Sequence, residues 1–255
     1  MRFDKQVAVV TGAASGIGRA TSEILTAEGA TVFAVDLNPE RLDELVARIT
    51  NAGGKAEAMP ADVTLDGEAA RLAAHALEQH GRIDILVNAV GGSTIVPNSS
   101  RPVEQLSLDE WRQLVDFNLS GTFLFTSAVL PAMKAQQAGK IVNVSSIAGR
   151  GLSLVSSAAY ATAKGGIIAL TRKLSFELGP FGINCNAIAP GVTLTERVAP
   201  IWEAKTDDGR EEVLANIPLG KMPHAEDQAR VIAFLASRDA DFVSGTTIDV
   251  AGGQR

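Results

Sequence analysis

The chain has 255 residues, of which 46% are hydrophobic and 20% are charged, and its formal net charge is −6. That composition is typical of a globular domain large enough to bury a sizeable core. The single cysteine, Cys185, excludes an intrachain disulfide framework, and we expect it to be a small buried apolar residue. The acidic balance without a basic block argues against a nucleic-acid partner.

Membrane and metal-binding classes are also disfavoured by the sequence. No apolar run approaches the ~18 residues that a membrane span needs, and the N-terminus leads into an apolar strand rather than a signal peptide. We therefore expect a cytoplasmic protein without a membrane partner. The three histidines, His75, His80 and His224, are not clustered with carboxylates at ligand spacing, so we predict no metal site.

Short apolar runs alternate with helical patterns along the whole chain. Strands are predicted at 6–12, 31–36, 55–63, 83–90, 140–146, 183–190 and 246–253. Helices are predicted at about 17–28, 39–52, 66–80, 107–130, 157–178 and 226–237. Because the strands are apolar on both faces, we predict an α/β fold. It would be a single doubly wound domain, residues 1–255, with a parallel sheet of about seven strands and helices on both faces.

A glycine-rich turn follows the first predicted strand, in the stretch "TGAASGIG" at 11–18. Glycines there allow a tight turn and a close approach of backbone N–H groups to a phosphate, and the positive end of the following helix favours an anion. The residues expected to hold the cofactor are Gly12, Ser15, Gly16, Ile17 and Gly18. The alternative is a plain strand-to-helix turn without a ligand.

Asp36 ends the second predicted strand, and Leu37 follows it. A carboxylate at this point can accept hydrogen bonds from the ribose hydroxyls of an adenosine and repels a 2′-phosphate. Neither Leu37 nor Ser15 offers a guanidinium or ammonium group to neutralise such a phosphate. The sequence therefore predicts NAD rather than NADP as cofactor, with an acid at a helix N-terminus as the alternative role of Asp36.

Seven short motifs occur in an order that resembles the short-chain dehydrogenases/reductases. They are "TGAASGIG" (11–18), "ADV" (61–63), "VNAVG" (87–91), "NLSG" (118–121), "SSIAG" (145–149), "YATAK" (160–164) and "APGVTLT" (189–195). The resemblance covers almost the whole chain and implies a Rossmann-type fold, a nicotinamide cofactor and a homotetramer or homodimer, with the tetramer favoured. The chain departs from the family pattern at Ala89-Val90, where Asn-Ala is usual, and at Ala251, where Asp is frequent.

The resemblance also implies further cofactor contacts. Near the adenosine it places Asp62, Val63, Asn88 and Gly91, and near the nicotinamide it places Pro190, Gly191, Thr193 and Thr195. Any one of these motifs can occur by accident, and Pro-Gly can be merely a turn.

Tyr160 is the only tyrosine of the chain, and Lys164 follows it by four positions. Residues at i and i+4 share one face of a helix. A phenol can remove a hydroxyl proton or donate one, but its ordinary pKa of about 10 is high for a base at neutral pH. We therefore predict that Tyr160 is a general acid/base whose pKa is lowered by Lys164, which by resemblance also binds the nicotinamide ribose. The alternative is a half-buried tyrosine beside a surface lysine.

Two more residues complete the predicted catalytic set. Ser146 follows the fifth strand, at the sheet edge where such folds bind ligands, and its hydroxyl could stabilise charge on a substrate oxygen. A serine there can also be a simple cap, and Ser145 is the alternative choice. Asn118 lies inside a predicted helix, although asparagine is a poor helix-forming residue. By resemblance it holds a water that relays protons to the lysine, and the alternative is a local kink or an exposed polar residue.

Residues 192–216 are polar and are predicted to form a lid over the substrate. Between 196 and 212, three basic side chains stand against six acidic ones, which disfavours coenzyme A or acyl-carrier phosphates. The sequence thus predicts an NAD-dependent enzyme acting on a small alcohol or ketone. A 3-oxoacyl-thioester reductase and a non-catalytic dinucleotide-binding protein remain the alternatives.

Overall fold

A computed structural model describes residues 1–153 and 156–254 of the chain. The predicted unit 1–255 includes Leu154, Val155 and Arg255, which lie outside the described residues. The strands are β1 (Val7–Thr11), β2 (Thr31–Asp36), β3 (Lys55–Pro60), β4 (Ile85–Asn88), β5 (Gly139–Val144), β6 (Ile183–Pro190) and β7 (Thr247–Val250). The helices are α1 (Gly16–Ala27), α2 (Pro39–Asn51), α3 (Glu68–His80), α4 (Leu108–Val115), α5 (Gly121–Gln136), α6 (Ala158–Leu178), α7 (Ala199–Glu203), α8 (Asp207–Ala215) and α9 (Ala225–Ala236).

The seven strands form one parallel sheet in the order β3-β2-β1-β4-β5-β6-β7. This confirms the predicted doubly wound α/β fold. The chain leaves β1 toward one edge and returns at β4 to build toward the other edge. The carboxyl ends of β1 and β4 therefore flank the crevice in which folds of this kind bind ligands.

Alternate residues of each strand enter two separate apolar layers. Ala8 and Val10 pack with α1, α2 and α9, whereas Val7 and Val9 pack with α3, α5 and α6. All five side chains of β1 are buried, which explains why the strand shows no polar alternation in sequence. Cys185 is buried in the second layer, as predicted.

The predicted helix boundaries hold where capping chemistry is present. Asn38 accepts a hydrogen bond from the Arg41 N–H at 2.9 Å, and Pro39 begins α2. Ser107 and Glu110 form the predicted capping box at the start of α4. The helix predicted to stop near 130 continues to Gln136, because apolar residues extend to Met133, which is fully buried.

Two sequence predictions of local structure were incomplete. The unassigned segment 192–216 contains the short helices α7 and α8. Thr206 lies between them and caps α8 by accepting a hydrogen bond from the Gly209 N–H. The predicted strand at 83–90 is shorter, because pairing with β1 and β5 covers only Ile85–Asn88.

The stretch Leu108–Gln136 is long and apolar enough to cross a bilayer by length and composition alone. Within the fold its last helix, α5, packs against α3, β4 and β5. A core helix of a soluble protein passes the same test, so this stretch is weak evidence for a span.

Candidate active site

The glycine turn between β1 and α1 lies against the end of β4. Gly12 has φ +68°, and a Cβ at this position would lie 3.1 Å from the carbonyl carbon of Ala89. A Cβ at Gly18 would lie 2.7 Å from the carbonyl carbon of Gly12. Only glycine fits these two positions, so the turn is held tightly across the crevice between β1 and β4.

A carboxylate already occupies the anion-binding end of α1. Glu196, from the loop after β6, accepts a hydrogen bond from the Gly16 N–H at 2.8 Å and forms an ion pair with Arg19. A negative charge is favourable at a helix N-terminus. The turn is therefore shaped for an anion such as the pyrophosphate of a dinucleotide, with Glu196 as a stand-in.

Asp36 reaches from the end of β2 to the same turn. Its carboxylate accepts hydrogen bonds from the N–H groups of Ala14 at 3.1 Å and Asn38 at 3.2 Å. Leu37 points away and is 70% exposed. A small cavity beside Ser15 is also lined by Arg19, Arg41 and Arg48. Sequence reasoning considered only Leu37 and Ser15 here and missed these guanidinium groups, which arrive from two different helices.

The predicted catalytic pair lies at the start of α6. Ser157 caps this helix by accepting a hydrogen bond from the Tyr160 N–H at 3.1 Å. The Lys164 Nζ lies 5.8 Å from the centroid of the Tyr160 ring and donates to the Val144 carbonyl at 2.9 Å. Lys164 is only 2% exposed, so the alternative of a surface lysine does not hold.

The electrostatics of this pair differ from the sequence prediction. Burial raises the pKa of Tyr160, while a hydrogen bond with Ser146 and the positive charge of Arg197 act in the opposite direction. Burial, together with Arg197, lowers the pKa of Lys164 to about 7. The predicted lowering of the Tyr160 pKa is therefore not found: burial outweighs the effects of Ser146 and Arg197, and Lys164 is not among the groups that shift this pKa.

The structure separates the two candidate serines. The Ser145 hydroxyl is 2% exposed and donates to the Lys164 carbonyl at 2.7 Å. Ser146 caps the 3₁₀ turn Ile147–Arg150 by accepting from the Ala148 N–H at 3.1 Å, and its hydroxyl is among the groups that act to lower the pKa of Tyr160. Ser146 thus acts as the cap considered from sequence and as the neighbour of the phenol.

Asn118 lies in a π-helical turn, Asp116–Ser120, that interrupts α4 and α5. The helix is therefore irregular at Asn118, and this side chain is fully buried. Its amide donates to the carbonyls of Gly92 at 3.0 Å and Leu114 at 2.9 Å, and its Oδ1 accepts from the Gly92 N–H at 2.9 Å. A Cβ at Gly91 would lie 2.5 Å from the Lys164 Nζ and 2.9 Å from the Asn118 Oδ1. Because Gly91 has no side chain, both Asn118 and Lys164 can lie close to its backbone.

Several predicted cofactor residues have structural partners of their own. The Asn88 amide donates to Thr126 at 3.1 Å and Asn143 at 2.9 Å, so its side chain is turned into the interior. Asp62 accepts from the Thr64 N–H at 2.9 Å and closes a turn, and Val63 packs against Gly121. These contacts position the backbone at the carboxyl ends of β3 and β4.

The loop after β6 brings its predicted residues over the turn. Thr193 donates to the carbonyl of Gly191 at 3.1 Å and accepts from the buried Gln228 at 3.3 Å. The side chain of Thr195 would lie 3.0 Å from a Cβ at Gly16. Pro190 ends β6, so this loop starts from a fixed point of the sheet.

Arg197 is a site residue that sequence reasoning counted only as one charge of the lid. A Cβ at Gly92 would lie 3.1 Å from the Arg197 Cζ and 3.2 Å from its Nη2. Its charge acts on both Tyr160 and Lys164. The sequence did contain one indication that Arg197 lies at the site. It follows Thr195 by two residues, and the resemblance places Thr195 near the nicotinamide.

Among the described residues, no group of three or more His, Cys, Asp or Glu side chains is arranged to hold a metal ion. The absence of a metal site stays a prediction.

A doubly wound sheet, an anion-accepting glycine turn and a serine–tyrosine–lysine group at one edge define a dinucleotide-binding oxidoreductase. A family model described as enoyl-(acyl carrier protein) reductase matches residues 12–255. The chain belongs to the short-chain dehydrogenase/reductase family. It is accordingly an oxidoreductase that acts on CH–OH groups, and the family uses a nicotinamide dinucleotide.

Similar proteins differ in the substrates that they are named for. The 3-oxoacyl-(acyl-carrier-protein) reductase FabG of Thermotoga maritima is 37% identical over 253 residues, which is 99% of each chain. A cis-4-hydroxycyclohexanecarboxylate dehydrogenase of Sinomonas cyclohexanicum is 37% identical over 251 residues, 98% of this chain and 97% of its own. The crystal structure of levodione reductase has a TM-score of 0.91 at 33% identity, covering 99% of this chain and 98% of that one.

Proposed function

We propose that the chain interconverts a secondary alcohol and a ketone with NAD(H), and that Tyr160 is its general acid/base. The observation that carries this proposal is the buried Lys164, whose Nζ lies 5.8 Å from the centroid of the Tyr160 ring, together with a Ser146 hydroxyl that acts on the phenol. A bound nicotinamide supplies the hydride acceptor for alcohol oxidation and the hydride donor for ketone reduction. Tyr160 takes the hydroxyl proton in the first direction and returns it in the second.

Ser146, Lys164 and Asn118 support that proton transfer in different ways. The Ser146 hydroxyl hydrogen-bonds the substrate oxygen and favours charge that develops on it. With a pKa of about 7, Lys164 gains and loses a proton near neutral pH and so suits a relay. Asn118 holds the Gly92 backbone next to Lys164 and, by family resemblance, positions the water that continues the relay.

The preference for NAD rests on Asp36. Its carboxylate stands beside the glycine turn and repels a 2′-phosphate. Arg41 and Arg19 line the adjacent cavity and act in the opposite sense. We weigh Asp36 more heavily, because it is fixed by two backbone hydrogen bonds whereas Arg41 is exposed. The other cofactor contacts are those assigned from sequence, with the Asn88 side chain serving as an internal support.

Residues 192–216 form the proposed lid. Glu196 links this segment to α1, and Arg197 links it to Gly92 in the loop after β4. The net charge of the lid therefore does not predict the charge of the substrate. Arg197 is directed toward the catalytic residues, whereas Glu196 is directed toward the glycine turn. A thioester reductase stays the second candidate, supported by the similarity to the FabG protein.

We also propose a homo-oligomer, with a tetramer favoured by family resemblance. Phe123 on α5 and Phe176 on α6 are 57% and 65% exposed and could be covered in such an oligomer. Light scattering of the purified protein tests this, and a monomer would contradict it. Cytoplasmic location remains a prediction.

The test of function is the absorbance change of the nicotinamide across a panel of secondary alcohols with NAD and of ketones and 3-oxoacyl thioesters with NADH. Turnover of small alcohols or ketones supports the proposal. Turnover of thioesters alone favours the second candidate. A protein that binds NADH but turns over no member of the panel would be the non-catalytic binder.

A further inference from the structure

We propose that Arg197 binds a carboxylate of the substrate, so that the preferred substrates are hydroxy acids and oxo acids. The inference rests on the proposed alcohol–ketone chemistry and specifies its substrate class.

Arg197 is an exposed residue of the lid, and its guanidinium lies against Gly92 at the edge of the catalytic group. It covers the Cα of Gly92, whose backbone N–H and carbonyl are both held by Asn118. At Gly91, the preceding residue, a Cβ would lie 2.5 Å from the Lys164 Nζ, so this glycine leaves room for the amine. Arg197 is thus separated from Lys164 by two glycines, and any anion that it binds would lie beside Tyr160.

The surroundings of Arg197 give it no anion of their own. Within residues 1–153 and 156–254, no ion pair and no side-chain hydrogen bond involves its guanidinium, although Arg19 and Arg210 of the same region pair with Glu196 and Asp207. Its positive charge acts on another cation, since it lowers the pKa of Lys164. A carboxylate ligand would relieve that repulsion, and its two oxygens would accept hydrogen bonds from the N–H groups of the guanidinium fork.

The cofactor is the other possible source of an anion. Its phosphates fit the N-terminus of α1, where Glu196 and Arg19 already form an anion–cation arrangement. Arg197 points the other way from the adjacent position in the chain, toward Gly92 and the tyrosine. We therefore assign its charge to the substrate side of the crevice.

The first test compares acids with their neutral methyl esters. We would measure kcat/KM with NADH for 3-oxobutanoate, 4-oxopentanoate, 5-oxohexanoate and 4-oxocyclohexanecarboxylate, each beside its ester, with each variant on the plateau of its own pH profile. At least one acid should exceed its ester by about 10-fold or more. Arg197→Gln should lower kcat/KM for that acid by about 30-fold and for the ester by less than about 3-fold.

Two control variants distinguish recognition from a general effect of charge. Arg197→Lys keeps the charge without the fork and should retain part of the acid preference. Lys205→Gln removes one positive charge from the exposed turn between α7 and α8 and should leave the acid-to-ester ratio unchanged. A ratio that falls equally in Lys205→Gln would overturn the assignment.

Binding measurements separate failure of this inference from failure of the proposed function. Calorimetric titration of the protein–NADH complex with the same acids and esters should show acid binding that Arg197→Gln weakens, with the Kd for NADH changed less than about 3-fold. If no compound is turned over but this binding pattern is found, the function fails and the inference stands. If esters are turned over while acids are not preferred, or if Arg197→Gln mainly weakens NADH, the inference is wrong.

Discussion

The carboxylate of Glu196 lies 2.8 Å from the Gly16 N–H, so a residue of the loop after β6 fills the anion-binding end of α1. Glu196 and a cofactor phosphate would compete for the same N–H groups. The loop over the site is thereby coupled to the occupation of the glycine turn.

Glu196→Gln should tighten cofactor binding. The amide is a weaker competitor at a helix N-terminus than the carboxylate, and the charge effect at such a position is about 0.3–1 kcal/mol, so the Kd for NADH should fall by about 2- to 5-fold. Calorimetry with NADH measures this. Glu203→Gln, an exposed acid on the same lid, should leave the Kd unchanged, and an unchanged or raised Kd in Glu196→Gln would contradict the competition.

Tyr160→Phe should retain NADH binding and lose turnover. The substitution removes only the hydroxyl, and a general acid/base contributes about 10²- to 10⁴-fold. Single-turnover rates with NADH and a ketone measure the loss, and NADH fluorescence measures the binding. A kcat near that of the unmodified enzyme would refute the assignment of Tyr160 as the acid/base.

The pH profile of alcohol oxidation should respond to Arg197. Its positive charge lowers the pKa of Tyr160 against the effect of burial, so Arg197→Gln should raise that pKa. The rate rises with pH as the phenol deprotonates, so the rising limb should move to higher pH. This is measured with a neutral alcohol, to leave carboxylate binding out of the comparison. A limb that stays in place, or moves to lower pH, would show that Arg197 does not act on the phenol.

Lys164 should make stability depend on pH in a defined window. Its pKa is lowered from 10.5 to about 7 in the folded protein, so between these values the unfolded chain binds the additional proton and stability rises with pH. Below pH 7 both states carry the charge and the full penalty of burying it remains. Denaturant unfolding of the native protein and of Lys164→Met should give curves that diverge across this window, with the native protein gaining relative to the variant.

The loss of the hydrogen bond to Val144 in Lys164→Met does not vary with pH and does not affect that slope. Lys173→Met, an exposed lysine on the same helix, is the control and should run parallel to the native protein. Parallel curves for Lys164→Met as well would mean that its amine is not desolvated.

Asp36→Asn should shift cofactor choice toward NADP. The change removes the negative charge that repels a 2′-phosphate and weakens charged hydrogen bonds worth about 1.5–3 kcal/mol. We expect kcat/KM with NAD to fall by about 10- to 100-fold while that with NADP rises. Adding Arg41→Gln should cancel the rise, because Arg41 lines the neighbouring cavity. Glu40→Gln is the control, and a native enzyme that already prefers NADP would contradict the proposal.

The sequence was sufficient for the architecture and for the side chains that we propose to be catalytic. The unbroken apolar character of β1 follows from burial on both faces, and the caps Asn38 and Ser107 are local hydrogen bonds. The Tyr160–Lys164 spacing depends only on helix geometry. Such features involve neighbours in the chain, so they can be read without knowing the fold.

Relations between distant segments needed the tertiary structure. Whether Ser145 or Ser146 faces the phenol depends on how β5 ends against α6. The Asn88 side chain is turned into the interior because Asn143 lies opposite it on the neighbouring strand and accepts its hydrogen bond. The direction of the pKa shift of Tyr160 was mispredicted because a helix spacing reveals proximity but not desolvation.

The sequence by itself determined a parallel sheet with a dinucleotide turn and a tyrosine–lysine pair, since these depend on local periodicity and short spacings. Only the tertiary structure decided where the adjacent Glu196 and Arg197 point. One lies on the glycine turn, 180 residues away in the chain, and the other lies on Gly92. Contacts over such separations are set by the packing of the whole sheet, and no local pattern encodes them.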